Sequence, residues 1–419
     1  MPLVQRSPSI DIINVLQQEA GSYSPPTHKR TRSNPRFFDK PQSILRHFTT
    51  SDQLVSKPIL KKLLTKSSLE EIYQITTQSI DLFSPTAIDW LINWSSRDFD
   101  NHVTQTSITA LSFLAFPQEK IPKLRDRIFE SSLINKIIRV GSQNKLPLSY
   151  HISLESLNIK EKLGSGAGGE VFRAKFQQKD VAVKFFKKHG CWFSCEKEFY
   201  YEATVMSLFG SFKNFMFCFG VNLQEGFIVM PMAANGSLET ALQDNKIDKF
   251  DWAQKIKILS QISRSMRTLH RYGIMHRDLK PANVLVDENF NCFLADFGLS
   301  RSPVHRGVRT RSRAMTMNVG TSMFMAPELI DGNGLYSEQI DVFSFGVLMW
   351  QLVSDCAIPY LDQGIGLRDI PNFIKSGARL DIPDDCPDLL ADLIEKCWHK
   401  NPKKRPSFQT IYSSLSTNI

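Results

Sequence analysis

The period of the hydrophobic pattern changes twice along this chain, near residue 155 and again near residue 236, and few folds accommodate both changes. From about 155 the run LNIKEKLGSGAGGEVFRAKFQQKDVAVKFF alternates short apolar stretches with turns, as an antiparallel meander does. After about 236 long amphipathic segments take over: SLETALQDN, WAQKIKILSQISRSMRTLHRYG, DVFSFGVLMWQLVS and LLADLIEKCWHK. Strands first and helices after predict an α+β unit with a β-rich lobe and a helical lobe.

What precedes that unit has a different character. Residues 1–50, with GSYSPPTHKRTRSNPRFFDKPQS at their centre, are rich in Ser, Pro and basic residues and bury too little apolar surface to offset their ordering entropy, which predicts a disordered tail. Residues 51–150 space their apolar residues by three and four: Ile59, Leu60, Leu63 and Leu64, then Leu69, Ile72 and Tyr73 behind a Ser68/Glu71 capping box. SPTAIDWLINW starts another helix, with Ser84 as cap and Pro85 in its first turn. SITALSFLAF and LRDRIFESSLINKIIRV predict one more each, and Gly141 closes the region. The expectation is a small all-helical region with no catalytic constellation.

The bulk figures narrow the classes of function. A chain of 419 residues fits two to four domains, and a hydrophobic fraction of 42% supports a large core. The net charge of +9 is mild; it suits anionic partners without selecting one. The basic tail has few aromatics beyond Phe37 and Phe38, so nucleic acid is not the expected partner. Seven cysteines, none before Cys191, form no CxxC pair, which predicts reduced thiols in a reducing compartment. MPLVQRSPSIDII lacks the signal-peptide pattern and no long apolar run exists, so a soluble intracellular, cytoplasmic protein without a transmembrane segment is expected. No residue pattern specifies an oligomeric state.

The chemistry lies in four places. In GSGAGGEV, Gly164, Gly166 and Gly169 form GxGxxG, whose missing Cβ atoms let backbone amides approach phosphate oxygens. Rossmann folds use the same letters, but there the loop enters a helix, whereas EVFRAKF reads as a second strand and so as a hairpin lid. Lys184, at the end of VAVK, would neutralise phosphate charge and needs a carboxylate to hold it. EKEFYYEATVMSLFG offers Glu196, Glu198 and Glu202; Glu202 is chosen, with Glu198 one turn earlier as the alternative. His276-Arg277-Asp278-Leu279-Lys280-Pro281-Ala282-Asn283 places Asp278 to accept or orient a hydroxyl proton, Lys280 to bind the transferring phosphate and Asn283 to hold a metal ion. Thirteen residues on, after an apparent hairpin VLVDENFNCFLA, Asp296 of Asp296-Phe297-Gly298 supplies a second hard oxygen ligand suited to magnesium. Phosphoryl transfer needs little beyond these parts.

In this order and spacing the motifs resemble those of the eukaryotic protein kinases over roughly 157–415, together with GTSMFMAPE, DVFSFG and NPKKRPSF. The resemblance implies the bilobal protein-kinase fold, ATP and Mg2+ as cofactors, and protein substrates. It implies a pairing of Glu328 with Arg405 and an adenine site of Leu163, Val171, Ala182 and Leu285. Met230 would be the gatekeeper, followed by a Pro231-Met232-Ala233 hinge; Pro231 departs from the Glu often found there. Lys280-Pro281 and Thr321 are similar to serine/threonine kinases, whereas GVLMWQLVS and CWHKNPKKRPSF are closer to tyrosine kinases. That mixture resembles the tyrosine-kinase-like group and implies serine/threonine phosphorylation in signalling. Dual specificity or a silent pseudokinase scaffold is the alternative. Five arginines between Arg301 and Arg313 suggest an activation loop whose phosphate, on Thr310 or Thr316, would pair with Arg277. In the tail, RTRSNP makes Ser33 a candidate phosphorylation site for a phosphoserine-binding adaptor.

Overall fold

The computed structural model describes residues 85–95, 102–115, 124–130, 133–143, 151–166, 168–186, 192–243, 250–300, 321–331, 336–355 and 357–417. The tail, the helices expected between 57 and 73 and the arginine-rich stretch 301–320 lie outside these residues. The chain forms two compact units, Met1–Arg125 and Asp126–Ile419.

In the first unit α1 (Pro85–Ser95) packs against α2 (His102–Ala115), with Ala87, Ile88, Leu91, Ile108 and Leu111 buried. The hydroxyls of Thr109 and Ser112 donate back to the carbonyls of Gln105 and Ile108, which satisfies polar groups on a buried helix face. The stretch expected to be one helix is two: α3 (Leu124–Glu130) and α4 (Ile134–Gln143). Gly141 lies inside α4 instead of closing it.

Within the second unit come β1 (Leu157–Gly166), β2 (Gly169–Phe176) and β3 (Lys179–Phe186), then α5 (Trp192–Phe209), β4 (Gly220–Asn222) and β5 (Phe227–Pro231). The strands form one antiparallel sheet in the order β1-β2-β3-β5-β4. Alternation sorts its two faces. Ala174, Val181, Val183, Phe227 and Val229 join Ile152 and Leu157 in a core on one face. On the other, the register sets Val171 beside Gly164 and Lys184, and Ala182 beside Met230.

The helical lobe begins with α6 (Leu238–Gln243) and α7 (Trp252–Arg271), the latter opened by a reciprocal capping box between Asp251 and Gln254. The hairpin β6 (Val284–Val286) and β7 (Cys292–Leu294) follows, then α8 (Pro327–Ile330), α9 (Gln339–Val353), α10 (Ile370–Ser376), α11 (Asp388–Cys397) and α12 (Phe408–Ser416). From Ile340 onward α9 is buried on every side, as a helix apolar all round must be, and α7 packs on α12. The β-rich lobe followed by helices matches the α+β expectation. No helix among the described residues is long and apolar enough to cross a membrane. Cys292, Cys386 and Cys397 are free thiols and, like Cys218, buried; burial pushes the Cys292 thiol up to about 12.

Candidate active site

The glycine hairpin closes where the sequence predicts a turn between strands: Gly166 pairs with Gly169 at the tip of β1 and β2. Below it, β3 presents Lys184. Its Nζ donates to Glu202 Oε1 and Oε2 at 2.8 and 2.9 Å and to Asp296 Oδ1 at 3.1 Å. Glu202, not the half-buried Glu198, is therefore the partner, and α5 is the element that delivers it. Lys184 is 8% exposed and Glu202 1%. Burial alone would lower the lysine pKa, but the two carboxylates outweigh it and hold the ammonium protonated. Glu202 is pushed up to about 7, first by burial and then by the negative charge of Asp296, against the pull of Lys184. Asp296 is only half-buried; the burial it has works against ionisation, yet the Lys184 ammonium keeps its carboxyl below the usual range. One lysine thus serves two carboxylates, and the more deeply buried of them carries the strain.

The cluster 276–283 is held from below by Asp341, the first-turn acid of α9. Its Oδ2 accepts from the backbone N–H of His276 at 2.8 Å and its Oδ1 from that of Arg277 at 2.7 Å. His270 Nε2 lies 2.8 Å from the same Oδ2. Asp341 is fully buried; burial would raise its pKa, but His270, His276 and the Arg277 amide lower it. These bonds fix Arg277 at φ +70°, a left-handed conformation that a non-glycine residue adopts only when its surroundings require it. The turn it makes presents Asp278. Lys280 Nζ and Asn283 Nδ2 both donate to Asp278 Oδ2 at 2.9 Å, and Asp278 Oδ1 accepts no bond among the described residues. The His276 tautomer follows from its bonds: Nδ1 accepts from the Asp278 amide, so Nε2 donates to the Ala295 carbonyl at 3.1 Å.

The β6–β7 hairpin performs the expected joining. Its open end pairs Val284 with Leu294, and the Ala295 amide donates to the Asn283 carbonyl at 3.0 Å. Asn283 and Asp296 therefore flank adjoining strand ends. The Asn283 side-chain amide donates to the carbonyl and to Oδ2 of Asp278, at 2.7 and 2.9 Å, which leaves its oxygen for a cation. Asp296 spends Oδ1 on Lys184 and sits at φ +58°. Two hard oxygens do not close a site; they fit magnesium, which keeps waters and phosphate oxygens in its shell.

The remaining expected nucleotide residues fall along one path. Gly164, Val171, Ala182 and Met230 share the sheet face of Lys184; Leu163 is 43% exposed at the rim. Pro231 ends β5 opposite Val181, and Met232 and Ala233 follow it, both half-buried. Leu285 on β6 bridges to Ser237 just beyond that connection. Glu328 and Arg405 meet as the resemblance implies, at 2.6 and 2.9 Å. Thr310, Thr316 and Ser33 lie outside the described residues. Arg277 Nε is buried with no hydrogen-bond partner among the described residues. Asp341, the first residue of DVFSFG, is a functional residue that the motifs of the sequence do not assign. The signal was there: one acid at the start of an otherwise apolar helix needs several donors to be tolerated.

Comparison with known proteins agrees with this geometry. Residues 157–415 match the family model described as protein tyrosine and serine/threonine kinase. A probable LIM domain-containing serine/threonine-protein kinase of Dictyostelium discoideum is 35% identical over 306 residues, covering 71% of this chain and 45% of that protein. A probable serine/threonine-protein kinase of the same organism is 31% identical over 370 residues, covering 85% of this chain and 26% of its own. That span is longer than the chain from 157 onward can supply, so the likeness reaches ahead of the matched domain. The serine/threonine-protein kinase STY17 of Arabidopsis thaliana is 32% identical over 272 residues, 64% of this chain and 46% of that protein. The chain thus spans between about a quarter and a half of the length of these curated relatives.

Proposed function

We propose that this chain, which belongs to the protein tyrosine and serine/threonine kinase family, transfers the γ-phosphate of ATP to serine and threonine hydroxyls of proteins. The observation that carries the reading is the convergence of Lys184, Glu202 and Asp296 within 3.1 Å of one ammonium, beside an Asp278 whose Oδ1 is left for a hydroxyl. The names of the three relatives favour serine and threonine over tyrosine.

Each residue then has a task. The amides of the glycine hairpin and the Lys184 ammonium cradle the phosphates, and Glu202 holds that ammonium in place. Leu163, Val171, Ala182, Met230, Met232 and Leu285 enclose the base. Asn283 and Asp296 would hold magnesium, which would supply charge neutralisation at the phosphates. Asp278 Oδ1 accepts the proton of the substrate hydroxyl as its oxygen bonds to the γ-phosphorus. The bond from that phosphorus to the β,γ-bridging oxygen breaks, and ADP leaves. Lys280, bonded to Asp278 Oδ2, faces the transferred group. An acceptor phosphate on Thr310 or Thr316 would meet the Arg277 guanidinium, and a phosphate on Ser33 would serve an adaptor. The setting is intracellular.

The test is phosphate transfer from ATP to a generic protein by the purified chain, followed by phosphoamino-acid analysis. Phosphoserine and phosphothreonine are expected, and none with Asp278→Asn. Transfer unchanged in that variant, or phosphotyrosine alone, overturns the reading.

A further inference from the structure

The second compact unit begins at Asp126, well ahead of residue 157 where the family match starts. The segment in between is not built like a linker. In α4, Ile134, Ile137 and Ile138 are each no more than 2% exposed, and the helix lies against α5, which carries Glu202. Asn135 Nδ2 donates to the Tyr272 carbonyl at 3.1 Å, tying α4 to the end of α7. Just before it, the Phe129 ring stands edge-on to Phe209, Phe212 and Tyr272, with centroids 5.7, 4.9 and 4.9 Å away.

From Phe129 a file of rings runs into the candidate active site. Phe209 contacts Phe215 at 5.5 Å, Phe215 stacks on Phe297 at 6.3 Å, and Phe297 contacts His276 at 5.5 Å. Phe209 is the last residue of the helix that carries Glu202. Phe297 follows Asp296, and His276 stands two residues before Asp278. Phe215 is itself fixed, because its neighbours Asn214 and Met216 bond to Leu294 on β7. One file of side chains therefore links the helix that carries Glu202, the segment that carries Asp296 and the turn that carries Asp278. A packed interior responds to a lost ring by discrete rearrangement, and a shift of α5 by an ångström or two breaks an ion pair of 2.8 Å.

We propose that Phe129, braced by α4, is a positioning residue for phosphoryl transfer: it pins the C-terminal end of α5 so that Glu202 meets Lys184, and it steadies Asp296 through the ring file. The proposal deepens the kinase reading given above and rests on it. The segment 126–143 is then a working part of the enzyme.

The experiment uses the full chain carrying Phe129→Ala or Phe129→Leu, with the exposed Asp126→Asn as control. Two readouts are taken: kcat and KM for ATP per folded molecule, and amide hydrogen exchange over 199–209 and 293–298 without nucleotide. Phe129→Ala is expected to lower kcat/KM for ATP at least tenfold and to speed exchange in both segments. Phe129→Leu, which keeps the apolar volume, should restore most of both, and Asp126→Asn should change neither. Exchange that matches wild type in both segments overturns the proposal, as does a lowered melting point with kcat and KM unchanged. If Phe129→Ala does not fold, Phe129→Val, which leaves a smaller cavity, decides by the same exchange, with a rise expected and wild-type behaviour overturning. If the wild-type chain transfers no phosphate, the kinase reading fails by itself, and exchange still judges whether Phe129 pins α5.

Discussion

In the helical lobe Asp278 sits within a lattice of short bonds: Lys280 and Asn283 on its carboxylate, Asp341 beneath the amides of His276 and Arg277, and His276 tied to Ala295. The same lobe is pinned at its far side by Arg405. Its guanidinium serves both oxygens of Glu328 and the carbonyls of His399 and Gln339. In the β-rich lobe Lys184 has two carboxylates among the described residues, and both arrive on elements that are not its own strand: Glu202 on α5 and Asp296 beyond β7. Asp278, the proposed base, is thus built in place, whereas Lys184, the proposed phosphate ligand, is set only when three separate elements meet. An enzyme made this way can be tuned at Lys184 without disturbing Asp278.

The harshest break is at the fixed end. Asp278→Asn removes the proton acceptor while keeping hydrogen bonds at that position, so kcat is expected to fall by about 10²–10⁴-fold. KM for ATP should stay close to that of the wild type, since no nucleotide group leans on Asp278; steady-state kinetics separates the two. Next comes Asp341→Asn. The amide lacks the charge that three donors require, and the loss is expected to be about 3 kcal/mol of stability. Its pH dependence identifies the cause. The folded pKa of Asp341 lies below that of an unfolded carboxyl, about 3.9. Its contribution is therefore complete above that value and is lost as pH falls through the lower folded one. Thermal melts should show the variant well below wild type at pH 7, with the gap narrowing below about pH 4.

The contrast between the lobes also explains what a reader of the sequence sees and misses. The catalytic letters are legible because phosphoryl transfer allows few side chains at those places, and the thirteen residues from Asn283 to Asp296 permit little except a hairpin. Glu202 could be picked from three glutamates because it lies on the buried face of its helix. Asp341 stands out as a lone acid at the start of an apolar helix, but its backbone donors lie 64 and 65 residues away, so local pattern does not tell what it holds. The ring file from Phe129 to His276 was illegible for the same reason, and so the break between α3 and α4 gave no hint of what Phe129 touches. GxGxxG likewise treats its three glycines alike, and the structure does not. A Cβ on Gly169, at φ +151°, would lie 2.0 Å from the Phe185 carbonyl oxygen, whereas one on Gly164 would meet nothing within 4 Å. Gly169→Ala is expected to cost about 2 kcal/mol in strained backbone. Gly164→Ala should leave the melting temperature unchanged and alter only KM for ATP. Equal melting temperatures for the two would show that the hairpin tip yields freely.

The mildest change sharpens the comparison most. Glu202→Gln takes a charge from a dry site, where burial already pushes the carboxyl up to about 7. Removing a buried charge is not destabilising when its neighbours stay paired, and Lys184 keeps Asp296 at 3.1 Å. Stability should therefore hold or rise, the reverse of the expectation for Asp341→Asn, although both variants replace a buried carboxylate by its amide. Function should still fall, because one neutral oxygen cannot hold the ammonium as two charged ones do; a loss of about tenfold in kcat/KM for ATP follows from one weakened charged hydrogen bond. Melting curves and steady-state kinetics on the same preparation read both quantities. A fall in stability as large as that of Asp341→Asn would mean that the lysine pair is as structural as the helical-lobe lattice, and the distinction between a fixed base and an adjustable phosphate clamp would be lost.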